Sequence, residues 1–575
     1  MRKIIISFLI SVIILILNGN AADRAYEFTP EAFREHLAVL TADSLEGREA
    51  GEVGEWKAAW YIAGVFKTIG LEPKGNSDTY FQAFEFIKKI DFGKNNYLAV
   101  NGTELELNTD FTPLLQSANA AFDFPEIVPV NYGITTEDSA WNDYAGLDVE
   151  GKAVLIKRFA PESEDTADTD SNAVDFDRYS SLTDKIITAQ DHNVSGIFFY
   201  TPEGHDDTLL FLGATRVHPR DIPIIFLRRT AFEKLGIDIN APRLFSARGE
   251  TELVHIPDTG YNVVAYLPGK TDTTIIIGAH YDHLGWGGPS SRYRGEQKMI
   301  HPGADDNASG TSGVLELARY FKANQNRLKH SILFITFSGE EKGVLGSSYF
   351  SHNMTVDSSK VFMMFNMDMI GRLREEEKGL GVLGVGTSEE FKKYFDTLSE
   401  PPLKMSFRES GTGPSDHTPF YNSGIPVLFF FTGVHEDYHK PDDVMEIINY
   451  DGMVKVTNTV VDITEHFDTS FNQLTFLKTK SDSTYGGPQN FSVTLGIMPD
   501  FISDVKGLRV DGVSGGRPAE RAGILKGDVI IKMGDREVDD IYMYMNALKK
   551  FRKGDTTTVK VERGTDTLDL KVEFK

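Results

Sequence analysis

Three observations in the sequence predict an α/β protein built round a doubly wound sheet. Nearly continuous apolar runs at 274–278, 330–337, 361–366 and 425–431 read as parallel strands buried on both faces. An amphipathic stretch, 309–323, lies between the first two runs, so strand alternates with helix as parallel crossovers require. The chain also has 575 residues, and single cores stop growing at roughly 250–300 residues. Further domains must therefore surround the sheet.

From the N-terminus, Met1-Arg2-Lys3 is a basic start, and 4–17 is an apolar run broken only by Ser7 and Ser11. Asn18-Gly19-Asn20-Ala21-Ala22 supplies small residues for cleavage. The run is shorter than the roughly 20 residues a membrane span needs, so 1–22 reads as a secretory signal peptide. The protein is expected in a bacterial periplasm or secreted, with no membrane span in the mature chain. There are 0 cysteines, which excludes disulfides, a lipidated N-terminal Cys, a thiol nucleophile and thiolate ligands. Any metal here must take nitrogen and oxygen donors. A formal net charge of −25 argues against nucleic acid or an anionic membrane as partner.

Thr29-Pro30 opens a helix, and a second helix spans 54–69 and stops at Gly70. Residues 120–250 read as an inserted α/β or β-rich domain. Its strands fall near 127–132, 153–157, 196–200 and 222–227, with a helix at 181–192 and a polar acidic stretch at 162–177. The remainder, 23–119 and 251–475, is assigned to the discontinuous domain that carries the sheet. A polar linker, 478–487, sets off a last small domain, 486–575.

Open parallel sheets bind ligands beyond the carboxyl ends of their strands. The first run is followed by Gly278-Ala279-His280-Tyr281-Asp282-His283, the second by Ser338-Gly339-Glu340-Glu341, and the third by Asn366-Met367-Asp368. The fourth is followed by His435-Glu436-Asp437-Tyr438-His439. Gly303-Ala304-Asp305-Asp306-Asn307 stands just before a helix. His280 and Asp282 are two apart on an extended segment and point to one side, so Asp282 is expected to fix the His280 tautomer. Asp305, on a glycine-containing loop, is expected to bridge two metals. Adjacent glutamates divide into one ligand, Glu341, and one general base, Glu340. Asp368 and His439 complete the two shells, with His435 the rival of His439. His283 and His301 are assigned to neither metal. Asp416, His417 and Tyr438 are candidates for the substrate pocket. Such mixed donor sets suit catalytic zinc, and Glu340 would deprotonate a water bridging two zinc ions and pass the proton to the leaving amine.

These segments resemble metallopeptidase family 28, the di-zinc aminopeptidases. The resemblance rests on the five motifs above, on Tyr438-His439-Lys440-Pro441-Asp442-Asp443 and on the lead-in Leu40-Thr41-Ala42-Asp43-Ser44-Leu45-Glu46-Gly47-Arg48. It implies a phosphorylase/hydrolase-like mixed sheet. It also implies two Zn2+ on His280, Asp305, Glu341, Asp368 and His439, with Glu340 as base. Residues 285–301 depart from the family as a long insertion, either a substrate-facing lining or lid of the cleft or a plain loop. Trp141-Asn142-Asp143-Tyr144-Ala145-Gly146-Leu147-Asp148 and Gly196-Ile197-Phe198 are similar to a protease-associated domain. Arg517-Pro518-Ala519-Glu520-Arg521-Ala522-Gly523-Ile524 and Gly527-Asp528-Val529-Ile530 resemble a PDZ domain. That likeness implies that Leu495, Gly496 and Ile497 capture a peptide C-terminus.

The expected activity is therefore exported, zinc-dependent removal of N-terminal residues from peptide or protein substrates. Glutaminyl cyclisation (a one-zinc reaction on the same scaffold), carboxypeptidase action and non-catalytic peptide binding are the alternatives. The full set of ligand types and the base favours hydrolysis.

Overall fold

The computed structural model describes residues 25–136, 141–161, 176–208, 219–288, 290–375, 379–398, 403–479, 493–499, 505–513, 516–538, 541–548 and 550–574. The signal peptide and most of the 478–487 linker lie outside the described residues. The chain divides into two compact units, 1–85 with 259–575, and 86–258.

The first unit holds most of a nine-stranded sheet. Its strands are β1 Glu72–Pro73, β2 Phe81–Phe92, β3 Leu253–Leu267, β4 Thr274–His280, β5 Ser331–Phe337, β6 Val361–Met367, β7 Leu380–Leu383, β8 Met405–Arg408 and β9 Val427–Phe431. The order is β1-β3-β5-β4-β6-β9-β7-β8, and β2 also pairs with β3. Pairs β5–β4, β4–β6 and β6–β9 are parallel, whereas β3–β5 and β9–β7 are antiparallel. The four apolar runs are thus the parallel centre of a mixed sheet, and all seven residues of β4 and of β5 are buried.

Helices cover both faces. On one face lie α1 Pro30–Leu40, α2 Val53–Ile69, α3 Gly310–Ala323 and α4 Tyr450–Ser470. Leu37, Ile62, Leu317 and Val460 join Ile275, Ile277 and Phe334 in one core. On the other face Phe350 and Phe420 pack with Ile276, Leu333 and Met364. Helix α1 starts where the sequence says it must: Pro30 occupies its first turn, and the Thr29 hydroxyl accepts the Ala32 N–H at 3.3 Å. Helix α2 ends on Gly70 at φ +81°, a left-handed cap that needs no Cβ.

The second unit has two sheets. A five-stranded one orders Phe111–Pro113, Ile224–Leu227, Gly196–Tyr200, Ala153–Lys157 and Ile127–Pro129. A four-stranded one orders Thr103–Leu105, Tyr97–Val100, Ala247–Thr251 and Ala120–Phe124. The unit is wider than the 120–250 expected from sequence. Tyr97–Val100 pairs with Ala247–Thr251, and Phe111–Pro113 with Ile224–Leu227. Those partners are more than 100 residues away in sequence, so no local pattern reveals the pairing.

The C-terminal domain is a sheet of Ile497–Pro499, Leu508–Val513, Val529–Met533, Thr556–Arg563 and Asp566–Glu573, with Arg536–Glu537 attached to the third of these. Its helices are Pro518–Ala522 and Ile541–Leu548. Leu495, expected at a peptide groove, is buried in this core. Its carbonyl accepts the Ala519 N–H at 2.8 Å. Gly496, at φ +80°, donates its N–H to Thr494 Oγ1 at 3.1 Å, and Ile497 opens the first strand. Among the described residues no helix is long and apolar enough to cross a membrane.

Candidate metal centre

Strands β4, β5, β6 and β9 run in parallel, so their carboxyl ends open on one edge of the sheet. His280 is the last residue of β4. Its Nε2 lies 3.3 Å from Asp306 Oδ1 and 3.3 Å from Asp368 Oδ1. Its Nδ1 lies 3.1 Å from the backbone carbonyl of Asp282. His439 repeats the arrangement. Its Nε2 is 3.2 Å from Asp306 Oδ2 and 3.2 Å from Glu341 Oε2, and its Nδ1 is 3.0 Å from the backbone carbonyl of Ser290. Each imidazole thus turns Nδ1 to a carbonyl and Nε2 to two carboxylates, and the two share Asp306.

The shared carboxylate is Asp306, not the expected Asp305. Asp305 faces the other way. Its Oδ1 accepts the Gly371 N–H at 2.6 Å and the Ser309 hydroxyl at 3.1 Å, and its Oδ2 pairs with His435 Nε2 at 3.3 Å. The expected ligand and the rival histidine are therefore spent on each other. His283, left unassigned on sequence, belongs to the centre: its Nδ1 is 2.7 Å from Glu341 Oε1. His283, Asp306 and Glu341 form one cluster of donors within metal-binding reach, and His280, Asp306 and Asp368 form another.

Asp282 orients His280 through its main-chain carbonyl, not through the carboxylate, which is 3.7 Å from Nδ1. The carboxylate instead accepts the N–H groups of Glu340 and Glu341 at 3.1 and 3.4 Å. It ties the end of β4 to the glutamate turn after β5. Asp368 is held by Ser415, whose hydroxyl donates to Oδ2 at 2.7 Å and accepts from Asn366 Nδ2 at 2.8 Å. Tyr438 stacks on His439 with ring centroids 3.8 Å apart. Asp416 and His417, expected in a substrate pocket, have no exposed surface. His417 stacks on Phe429 at 4.5 Å. These two residues form part of the wall behind the centre and offer no surface to a substrate.

Buried or half-buried carboxylates crowd this edge, among them Asp282, Asp306, Glu340, Glu341, Asp368 and Asp416. Burial raises the Asp282 carboxyl to about 8 and the Asp416 carboxyl to about 7, with neighbouring acids adding to the effect. Burial, joined by Asp416, Glu341 and Asp368, also carries Glu340 well above the usual range. The acids next to imidazoles behave oppositely. Burial would raise Asp306 and Glu341, but His283, His280 and His439 take Asp306 well below its ordinary value, and His439 with His283 brings Glu341 to about 2. Burial would lower His280 and His439, yet the acids around each push both well above 6.5. The acids thus favour the charged form of the imidazoles they face. A divalent cation among the same nitrogen and oxygen donors supplies that positive charge, so the donor set fits a metal.

Two buried groups hold the loop that carries Asp306. Asp443 accepts the Asp305 N–H at 2.9 Å and the Asp306 N–H at 3.0 Å, and its own carbonyl accepts the Ala304 N–H at 3.0 Å. Arg48, with no exposed surface, donates to the carbonyls of Tyr281 at 2.7 Å, Pro302 at 2.7 Å and Gly303 at 2.9 Å, and to that of Leu40. That explains the Glu46-Gly47-Arg48 lead-in as a clamp between the β4 end and the Asp306 loop. Arg48→Leu would orphan these carbonyls at about 1–3 kcal/mol each. The expected result is a several-kcal/mol loss in denaturant unfolding that Arg48→Lys does not restore, since one ammonium cannot replace a five-donor fork.

Fold and donor set define an α/β protein with a candidate two-cation centre at the carboxyl edge of a doubly wound sheet. Residues 262–464 match the family model of peptidase family M28, and residues 493–574 match that of a PDZ domain. A probable leucine aminopeptidase of Trichophyton verrucosum is 31% identical over 212 residues, covering 35% of this chain and 54% of that protein. Leucine aminopeptidase 1 of Leptosphaeria maculans is 29% identical, covering 34% and 52%. The chain spans about half the length of the curated relatives it matches. Among solved structures, an aminopeptidase from Aneurinibacillus sp. strain AM-1 is 24% identical, covering 79% of this chain and 97% of that one, at a TM-score of 0.45. A zinc aminopeptidase from Bacillus subtilis is 21% identical, covering 76% and 95%, at a TM-score of 0.44.

Proposed function

We propose that this chain is an exported, zinc-dependent aminopeptidase that removes N-terminal residues from peptides. The observation that carries this reading is the pair of matched histidines sharing Asp306, with Glu340 on the adjoining turn. One zinc ion would be held by His280, Asp368 and Asp306, and a second by His439, Glu341 and Asp306. His283, whose Nδ1 meets Glu341 at hydrogen-bond distance, orients that carboxylate and is not itself a ligand. Zinc held there supplies Lewis acidity to a peptide carbonyl and to water.

The rest of the chemistry belongs to the chain. Glu340 accepts the proton of the attacking water and returns it to the departing amine nitrogen. Asp282 fixes the Glu340 backbone, and Ser415 fixes Asp368. The histidine tautomers are set by the two backbone carbonyls, which keep each Nε2 lone pair directed at the centre. We read the 86–258 unit as the protease-associated insert and the PDZ domain as a site for a peptide segment of the substrate or of a partner.

A panel of aminoacyl anilides, assayed with and without chelator and beside N-acetylated peptides, tests the reading. Hydrolysis of free-amine substrates that chelator abolishes and zinc restores is the expected result. Release of C-terminal residues from N-acetylated peptides would make the enzyme a carboxypeptidase, and cyclisation of N-terminal glutamine without hydrolysis would make it a cyclase.

A further inference from the structure

His280 and His439 differ in what sets their orientation. The carbonyl that faces His280 Nδ1 belongs to Asp282, two residues along the same loop. The carbonyl that faces His439 Nδ1 belongs to Ser290, 149 residues away in sequence. His439 has φ +59°, in the left-handed region that L side chains rarely adopt. Its own carbonyl accepts the Arg292 N–H at 2.9 Å. The segment after Ser290 therefore grips His439 by ring and by backbone.

That segment is tied to itself by a self-consistent chain of donors. The Ser291 hydroxyl oxygen accepts the Tyr293 N–H at 3.1 Å and lies 2.7 Å from His301 Nε2. His301 Nδ1 lies 3.1 Å from the Met299 carbonyl. The assignment that satisfies every group has Nδ1–H donating to Met299 and Nε2 accepting from Ser291. His301 is buried, and its N–H donates to the Gly285 carbonyl at 2.8 Å. Gly285 in turn donates to the Gly47 carbonyl at 3.0 Å, beside the Arg48 clamp.

We propose that residues 290–301 are a brace for His439. The Ser290 carbonyl and the Arg292 N–H fix the tautomer and pose that aim Nε2 at Asp306 and Glu341, so the segment sets zinc affinity on the Glu341 side of the centre and leaves the His280–Asp368 side untouched. The proposal rests on the two-zinc reading above. A histidine that donates Nδ1–H to a fixed carbonyl presents an unprotonated Nε2, and loss of such support weakens a metal site by about 10–100-fold. The selectivity follows from the brace touching only one of the two histidines. Ser290, Ser291 and Arg292 are positioning residues.

The test is a titration of zinc ion alone into the metal-stripped full chain, followed by competition with a chromophoric chelator. The wild-type chain is expected to bind two zinc ions. Arg292→Pro removes the N–H that holds the His439 backbone, and it is expected to weaken one of the two sites by about 10–100-fold with the other unchanged. Ser291→Ala, which leaves the main chain unaltered, is expected to weaken the same site by a smaller factor, and it decides the matter should the proline variant misfold. The metal-free Ser291→Ala protein is expected to melt somewhat below wild type, since His301 Nε2 and the Tyr293 N–H lose their partner, and the loss of zinc affinity at one site only is the readout that general destabilisation does not produce. Two wild-type affinities in both variants, or equal weakening of both sites, overturns the brace. A wild-type chain that binds fewer than two zinc ions overturns the two-zinc reading itself.

Discussion

Asp306→Ala is expected to abolish zinc binding on both sides of the centre, whereas Asp305→Ala leaves both sites occupied. Asp306 presents Oδ1 to His280 and Oδ2 to His439, so it is the single side chain common to both donor groups. Removing a group that only supports a ligand costs about 10–100-fold in metal affinity, so loss of a shared ligand should exceed the upper end of that range at each site. Turnover should fall with it. Asp305→Ala instead breaks the Gly371 N–H and Ser309 bonds and leaves His435 unpaired. Its cost is stability, about 1–3 kcal/mol for an orphaned buried donor. Metal content by elemental analysis, set beside denaturant unfolding of the two variants, separates them. Zinc retained in Asp306→Ala and lost in Asp305→Ala would restore the assignment made from sequence.

The confusion between these neighbours shows where sequence reasoning stops. The strands were legible because burial on both faces leaves an unbroken apolar run, and the carboxyl ends of β4, β5, β6 and β9 were legible because function follows strand ends in open sheets. That singled out His280, Glu341 and Asp368, which stand in the two donor groups. Asp305 and Asp306 stand in a turn, Ala304–Ser309, where no period of two or 3.6 says which carboxylate faces the sheet. The choice depends on Asp443, which takes both backbone N–H groups, and on Gly371, which takes the Asp305 side chain. Both lie more than 60 residues away in sequence.

His283 was missed for a related reason. It follows the first ligand by three residues on irregular backbone, and only the fold brings its Nδ1 to Glu341. Two signals were nevertheless in the chain. Asp443, four residues beyond His439, and Arg48 in the lead-in were quoted within motifs, and both are buried fasteners of the Asp306 loop. Residues 285–301 were read as an insertion over the cleft. Their described contacts instead run inward, to His439 and to Gly47.

Glu340→Gln is expected to keep zinc at wild-type affinity and to lower kcat by about 10²–10⁴-fold, the usual contribution of a positioned general base. The amide keeps the shape of the carboxylate and cannot take a proton. Among the described residues Asp306, Asp368 and Glu341 pair with the two histidines and Glu340 does not. Its place is set by its own backbone, through the Asp282 carboxylate at 3.1 Å. KM should change little, because the substitution removes an interaction made in the transition state. Glu341→Gln should do the reverse: one oxygen meets His283 at 2.7 Å and the other faces His439 at 3.2 Å, so zinc affinity falls first and activity returns in part with excess zinc. Paired zinc titrations and steady-state kinetics on the two variants read this directly. A Glu340→Gln enzyme with near wild-type kcat would remove Glu340 from the proton transfer.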